Sequence, residues 1–297
     1  MAPRSGARSG RLRSAGVGLY RSAAGEQAIR AWCQDRLDGW GVAHERREEA
    51  TALGSTHLLT AGTGEPTVVL VPGTNLNAAT SLDLVEAVAR HRRVTAVDLP
   101  GQPGLSAADL PGQDRISAYG RWLEELLGQL GGGPFVLVGH SLGAAVVLAA
   151  SPSDQVAGIV LVDPAGLVKA TLGLGLIATS TAWFLRPTTA RSTRLIERMQ
   201  APGHPAAPDL VGWFTLVGRH TRSDGAPGPV GDDVLARWRA TPRTVVTGEA
   251  DTFFPPTKLA PVARRALEID PVVVPDAGHL LPHEHPEAVV DAILTLA

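Results

Sequence analysis

Three short segments carry side chains whose chemistry is mutually dependent. Gly139-His140-Ser141-Leu142-Gly143 follows the apolar run Phe135-Val136-Leu137-Val138 and precedes the helix-forming stretch Leu142–Ala150. A serine hydroxyl is a poor nucleophile unless a base takes its proton. The G-x-S-x-G spacing between a strand and a helix is the arrangement that exposes such a hydroxyl at the top of a sheet. The turn is so sharp that the serine backbone is strained and side chains two positions away would collide, hence Gly139 and Gly143. Of nine histidines, His279 in Asp276-Ala277-Gly278-His279 follows the run Val272-Val273-Val274 and precedes the last helical segment. That is the expected place of a general base in the chain order Ser…Asp…His; His283 and His285 are nearby alternatives. A carboxylate must hold the imidazole tautomer and stabilise its cation. Asp251, just after Thr244-Val245-Val246-Thr247, is the candidate acid, with Glu249 and Asp163 as rivals. Serine, histidine and aspartate in this order point to acyl transfer through Ser141, His279 and Asp251.

A tetrahedral oxyanion needs preorganised N–H donors. Leu142 offers one at the start of its helix. The turn Val71-Pro72-Gly73-Thr74-Asn75 follows an earlier strand, and Thr74 is the candidate for the second donor, because Pro72 has no N–H. Asn75 or Asn77 supplies a side-chain donor or simply forms the turn.

The elements that would position these groups are legible in the hydrophobic pattern. Residues 24–38 read as a helix through Ile29, Trp32, Cys33 and Leu37, and strands are expected around His44–Ala50 and Thr56–Thr60. Wholly apolar runs then alternate with amphipathic ones. Strands are expected at Thr67–Val71, Val94–Val97, Phe135–Val138, Ile159–Val162, Thr244–Thr247 and Val272–Val274. Helices are expected at 81–91, 115–130, 142–150, 257–266 and 286–296. Such alternation implies an α/β fold with a mostly parallel central sheet flanked by helices. It lapses between residues 165 and 240, which read as a helical cap inserted at the C-terminal edge of the sheet, where ligand crevices lie. The expected organisation is therefore a tail at 1–20, a core at 21–164 and 241–297, and the cap.

With these stretches in place the chain resembles the α/β-hydrolase superfamily, in its esterase-like branch with a serine nucleophile, over roughly residues 40–297. VPGT at 71–74, DLPGQPGLS at 98–106, GHSLG at 139–143, LVDPAG at 161–166, GEAD at 248–251 and AGHLLPHEHPE at 277–287 carry the resemblance. It implies hydrolysis of a carboxylic ester, lactone or thioester of a hydrophobic small molecule, with no cofactor and no metal. Relatives often have His-Gly where this chain has Pro72-Gly73, which bears on the oxyanion loop. Dehalogenases and epoxide hydrolases of this fold use aspartate at the elbow, so Ser141 argues against both. Thioesterases, cyclases, lyases and carbon–carbon bond hydrolases share the triad and stay open, as does a non-catalytic small-molecule receptor, which would not need Asp251 and His279 together.

Composition narrows the classes further. A net charge of −2 gives no electrostatic case for nucleic acid. A single cysteine, Cys33, excludes an internal disulfide and a cysteine metal cluster, in keeping with a cytoplasmic setting. Arg4, Arg8, Arg11, Arg13 and Arg21 precede the first acidic residue, and no long apolar run follows them, so residues 1–20 are expected to be a flexible basic tail. The apolar stretch 170–185 is shorter than a bilayer span and contains Thr, Ser and Gly, so no membrane insertion is expected. Oligomeric state is not legible. Substrate contacts are expected from Asn75, Leu176, Trp183, Trp213 and Phe253; His140 joins this group, although its place in the elbow directs its ring away from the serine. Leu172, Leu174, Ile177, Phe184 and Phe214 are further candidates for an apolar pocket or for packing of the cap.

Overall fold

A computed structural model describes residues 18–112, 114–222 and 225–296. The elements run α1 (Ala23–Asp38), β1 (His44–Thr51), β2 (Gly54–Ala61), β3 (Thr67–Val71), α2 (Leu82–Ala89), β4 (Val94–Val97), α3 (Arg115–Leu130), β5 (Phe135–His140), α4 (Leu142–Ala149) and β6 (Val156–Val162). There follow α5 (Leu174–Leu185), α6 (Thr189–Met199), α7 (Pro208–His220), α8 (Asp232–Ala236), β7 (Arg243–Gly248), α9 (Pro256–Val262), β8 (Val272–Val274), α10 (Leu281–Glu284) and α11 (Pro286–Leu296). The eight strands form one sheet in the order β1-β2-β4-β3-β5-β6-β7-β8. β1–β2 and β2–β4 pair antiparallel; all other pairs are parallel.

The strands that read as continuous apolar runs are those buried on both faces. Val68, Leu70, Val136 and Val138 join one core with α1, α2 and α11, while Val69, Val71 and Leu137 join a second with α3 and α4. Alternate residues of each strand point to opposite layers, so both layers need apolar side chains from the same strand. β8 pairs only with β7, and its Val272 and Val273 are exposed. An apolar triplet marks this strand, but its place at the sheet edge leaves it uncovered.

Between β6 and β7 the described residues form helices and no strand. Two of the bonds that tie these helices to the rest of the molecule lie beside the ends of the sheet strands. The indole N–H of Trp213, on α7, donates to the Asn75 carbonyl at 2.6 Å, and the His279 N–H donates to the Met199 carbonyl, at the end of α6, also at 2.6 Å. The expected flexible tail at 1–20 lies outside the described residues up to position 17. Its end needs correction: Leu19 is buried and Tyr20 bridges to Thr221, with Arg222 N–H donating to the Leu19 carbonyl at 2.8 Å. Packing against the end of α7 fixes this segment, and burial pushes the Tyr20 phenol up to about 12.

The strand–helix junction at Ser141 depends on close backbone approach. A Cβ on Gly143 would be driven into the Val71 carbonyl, and one on Gly139 would lie 2.5 Å from the Gly143 carbonyl oxygen. Gly128, by contrast, sits exposed in α3 with open space around it. Gly143→Ala should therefore lower the melting temperature sharply, whereas Gly128→Ala should gain up to about 1 kcal/mol from helix propensity alone. Calorimetry of the two variants checks the opposite signs; a Gly143→Ala protein melting with wild type would contradict the close contact.

Candidate active site

Ser141 lies between β5 and α4 with φ 50° and ψ −111°. A non-glycine residue in this region is strained and survives only where surrounding structure over-determines it. Here its N–H donates to the Val162 carbonyl at 2.9 Å, and its carbonyl accepts from Ala144 and Ala165. Locking the backbone on both sides directs the hydroxyl out of the sheet. The His279 Nε2 is 3.0 Å from the Ser141 Oγ, and the His279 Nδ1 is 3.0 Å from the Asp251 Oδ2. The other oxygen of Asp251 accepts the N–H groups of Phe253 at 2.7 Å and Phe254 at 3.0 Å. Asp251 therefore cannot rotate without abandoning two backbone donors.

The electrostatics divide two buried carboxyl groups. Burial penalises the charge on Asp251, but the adjacent His279 and the two backbone N–H groups outweigh it and hold its carboxyl below the usual range. Burial, and then the charge of Asp251, push Asp163 well above that range. Asp163 is not the orienting acid of His279. Its Oδ1 accepts the Gly248 N–H at 2.9 Å and its Oδ2 the Leu281 N–H at 3.4 Å. It thus braces the loops carrying Asp251 and His279. Burial opposes a charge on His279, yet Asp251 prevails and raises its pKa above the ordinary 6.5.

The rival side chains are occupied elsewhere. Glu249 is exposed. His283 is held down to about 4 by burial, and His285 Nε2 contacts the Asp276 carbonyl at 2.8 Å. Asn77 caps the turn at Ala78–Thr80 through the Thr80 N–H, and its amide donates to the Pro103 carbonyl. Its side chain is committed to holding the loop.

The β3 turn lies against the elbow: a Cβ on Gly73 would be 3.4 Å from the Ser141 Cβ and 2.9 Å from His140 Nδ1. Thr74 follows directly, and Leu142 is the first residue of α4, a position whose N–H has no intrahelical acceptor. Asn75 adopts a left-handed backbone, φ 62°, and its N–H donates to Gln102 Oε1 at 3.0 Å. Gln102 therefore shapes the loop on which Thr74 sits, a part sequence reasoning missed.

Four of the expected substrate contacts are corrected. His140 Nε2 lies 2.9 Å from the His279 carbonyl, with the rings 5.4 Å apart, and burial lowers its pKa to about 3. It supports the His279 loop as a neutral ring. Trp183 is buried among α5, α6 and α7 and donates to Ser192 Oγ at 3.1 Å, and Leu176 packs in the same core. Trp213 is fully buried against Trp32, with ring centroids 4.6 Å apart, and anchors α7 to the Asn75 carbonyl. Phe253 does lie beside the site, its ring 4.6 Å from that of His279. Leu172, Leu174, Ile177 and Phe184 are exposed, while Phe214 is buried.

Known proteins share this frame. The profile described as the alpha/beta hydrolase family matches residues 68–292, well over half the chain. The chain belongs to the alpha/beta hydrolase family. Carboxylesterase CesB from Bacillus subtilis superposes with a TM-score of 0.76 at 19% identity, covering 92% of this hydrolase and 98% of that chain. A thermophilic esterase from Thermogutta terrifontis gives 0.60 at 27% identity, covering 84% and 97%. Lipase LipV from Mycobacterium tuberculosis is 58% identical over 45 residues, which is 14% of this hydrolase but only 17% of that lipase. No helix among the described residues is long and apolar enough to cross a membrane.

The two aspartates should behave differently on neutralisation. Asp251→Asn should lower turnover by about 10⁴-fold, because the amide favours the wrong imidazole tautomer. Asp163→Asn keeps an acceptor for the Gly248 N–H and should cost less than about tenfold. Base catalysis needs neutral His279, so wild-type kcat/KM should rise with pH through a midpoint above 6.5. In Asp251→Asn burial acts with far less opposition and the midpoint should fall. pH–rate profiles of the three proteins decide; a midpoint unmoved by Asp251→Asn would contradict the assignment.

Proposed function

We propose that this hydrolase cleaves a carboxylic ester, lactone or thioester of a hydrophobic small molecule through an acyl-enzyme on Ser141. The observation that carries this reading is the pair of 3.0 Å contacts linking Ser141, His279 and Asp251 in one line. Ser141 Oγ attacks the carbonyl carbon as His279 Nε2 takes its proton, and the new imidazolium is stabilised by Asp251. In this reading the oxyanion forms against the N–H groups of Thr74, in the turn after β3, and of Leu142, at the start of α4. His279 then protonates the leaving oxygen or sulfur, and water attacks the acyl-enzyme by the same route. These steps are complete with side chains and backbone donors of this chain.

Ser141 and His279 are 9% and 7% exposed, so charge develops in a largely water-excluded site, where fixed donors are worth more than in solution. Phe253 beside His279 supplies apolar surface for the substrate. The esterase and lipase relatives support ester cleavage over the lyase and carbon–carbon hydrolase chemistries of the same fold. Placement in the cytoplasm accords with the single cysteine, which is buried and unpaired.

p-Nitrophenyl esters of graded acyl length, offered to wild type and to Ser141→Ala, test the proposal. Wild type should hydrolyse them, and the variant should lose about 10⁴-fold or more. Equal rates in both proteins, or none in a folded wild type, would refute it.

A further inference from the structure

The segment after α6 crosses the loop that carries His279. Besides the bond from His279 N–H to Met199, the Glu284 carboxylate accepts the Ala201 N–H at 2.7 Å and the Gly278 N–H at 3.1 Å. A Cβ on Gly278 would collide with the Met199 carbonyl. At the margin of this contact three further side chains converge from the two segments. His204 Nε2 lies 3.1 Å from Asp276 Oδ2, and the rings of His204 and His285 meet edge to face with centroids 5.6 Å apart. One ligand-capable atom from each of the three lies within 4.8 Å of the others. None of these residues has a part in the proposed hydrolysis.

We propose that His204, Asp276 and His285 bind one divalent transition-metal ion, best matched by zinc, which pins the inserted helices to the His279 loop. Two imidazole nitrogens and one carboxylate oxygen suit zinc, whereas calcium and magnesium favour all-oxygen sets. Donors about 2.0–2.2 Å from a tetrahedral ion sit roughly 3.3 Å apart. The His204–Asp276 pair already has that separation, and His285 joins it by giving up the exposed 2.8 Å contact of its Nε2 with the Asp276 carbonyl. His204 and Asp276 keep 25% and 68% of their side-chain surface exposed, so an ion reaches them from solvent and water can take the fourth position. The ion links residue 204, on the inserted segment, to positions flanking His279 on both sides. The other grouping of this kind among the described residues, His140, Asp163 and His279, has both ring nitrogens of His279 committed to Ser141 and Asp251, and His140 Nε2 faces the His279 carbonyl.

The full chain without an affinity tag, stripped by a chelator, should be titrated with zinc chloride by calorimetry and melted with and without the metal. One zinc per chain and a raised melting temperature are expected, with no uptake of magnesium. His204→Gln and His285→Gln should each weaken uptake by about 100-fold or more, while melting as wild type does without metal. Cobalt(II) provides a check independent of stability, because the visible absorption of a four-coordinate site should appear in wild type and vanish in His204→Gln. Failure to take up zinc, or uptake and cobalt absorption unaltered in both variants, would overturn the proposal.

Discussion

The chain passes from β5 to α4 through one residue in the left-handed region, and that turn exists only because backbones can touch there. Gly143 lets α4 start directly against the end of β3, and Gly139 lets the strand pass under the helix. The contact fixes two things together. It lifts the Ser141 hydroxyl above the sheet, and it brings the Gly73–Thr74 turn alongside the same residue. The proposed nucleophile and the proposed oxyanion donors therefore share one backbone constraint. Pro72 in place of the histidine common in relatives leaves this arrangement standing, because Gly143 meets the backbone of Val71 and Pro72 rather than a side chain, and Gln102 holds the turn from the other side through Asn75.

Around this turn the fold separates the states of its buried ionisable groups. Asp251 keeps its charge because His279 and two N–H groups face it. Asp163 is pushed toward the neutral acid by burial and by the charge of Asp251, which outweigh His279 and the two backbone donors. His140 is kept a neutral ring by burial while it supports the His279 carbonyl. Two carboxyl groups so near one another cannot both be charged at low cost, and environments that drive their pKa values apart assign their roles. One orients the imidazole; the other fastens the loops after β7 and β8.

Much of this was legible in the sequence, for identifiable reasons. The helices at 115–130 and 286–296 and the strands at 67–71 and 272–274 have the expected limits, because their apolar periodicity ends where glycine, proline or polar clusters begin. The Ser141, His279 and Asp251 positions followed from the strand that precedes each. Long-range pairing was not legible. Trp183 and Trp213 read as pocket residues by their place in the insertion, yet both indole N–H groups found buried acceptors and became anchors. Nothing local in the sequence distinguishes an aromatic that faces a cavity from one that faces another helix. Asp163, His140, Gln102 and Glu284 act through backbone groups distant in sequence, which no spacing rule reveals. The Leu19–Tyr20 packing was missed for the same reason, since its partner is the end of α7.

The central claim is that Ser141 is a hydroxyl activated by His279 and Asp251. Covalent labelling with a fluorophosphonate, followed by peptide mass spectrometry, tests it most directly, because the reagent reports nucleophilicity without requiring the natural substrate. The account predicts one adduct per chain, on Ser141, formed rapidly in wild type and far more slowly in His279→Ala. An adduct at another residue, or labelling of Ser141 at the same rate without His279, would contradict it.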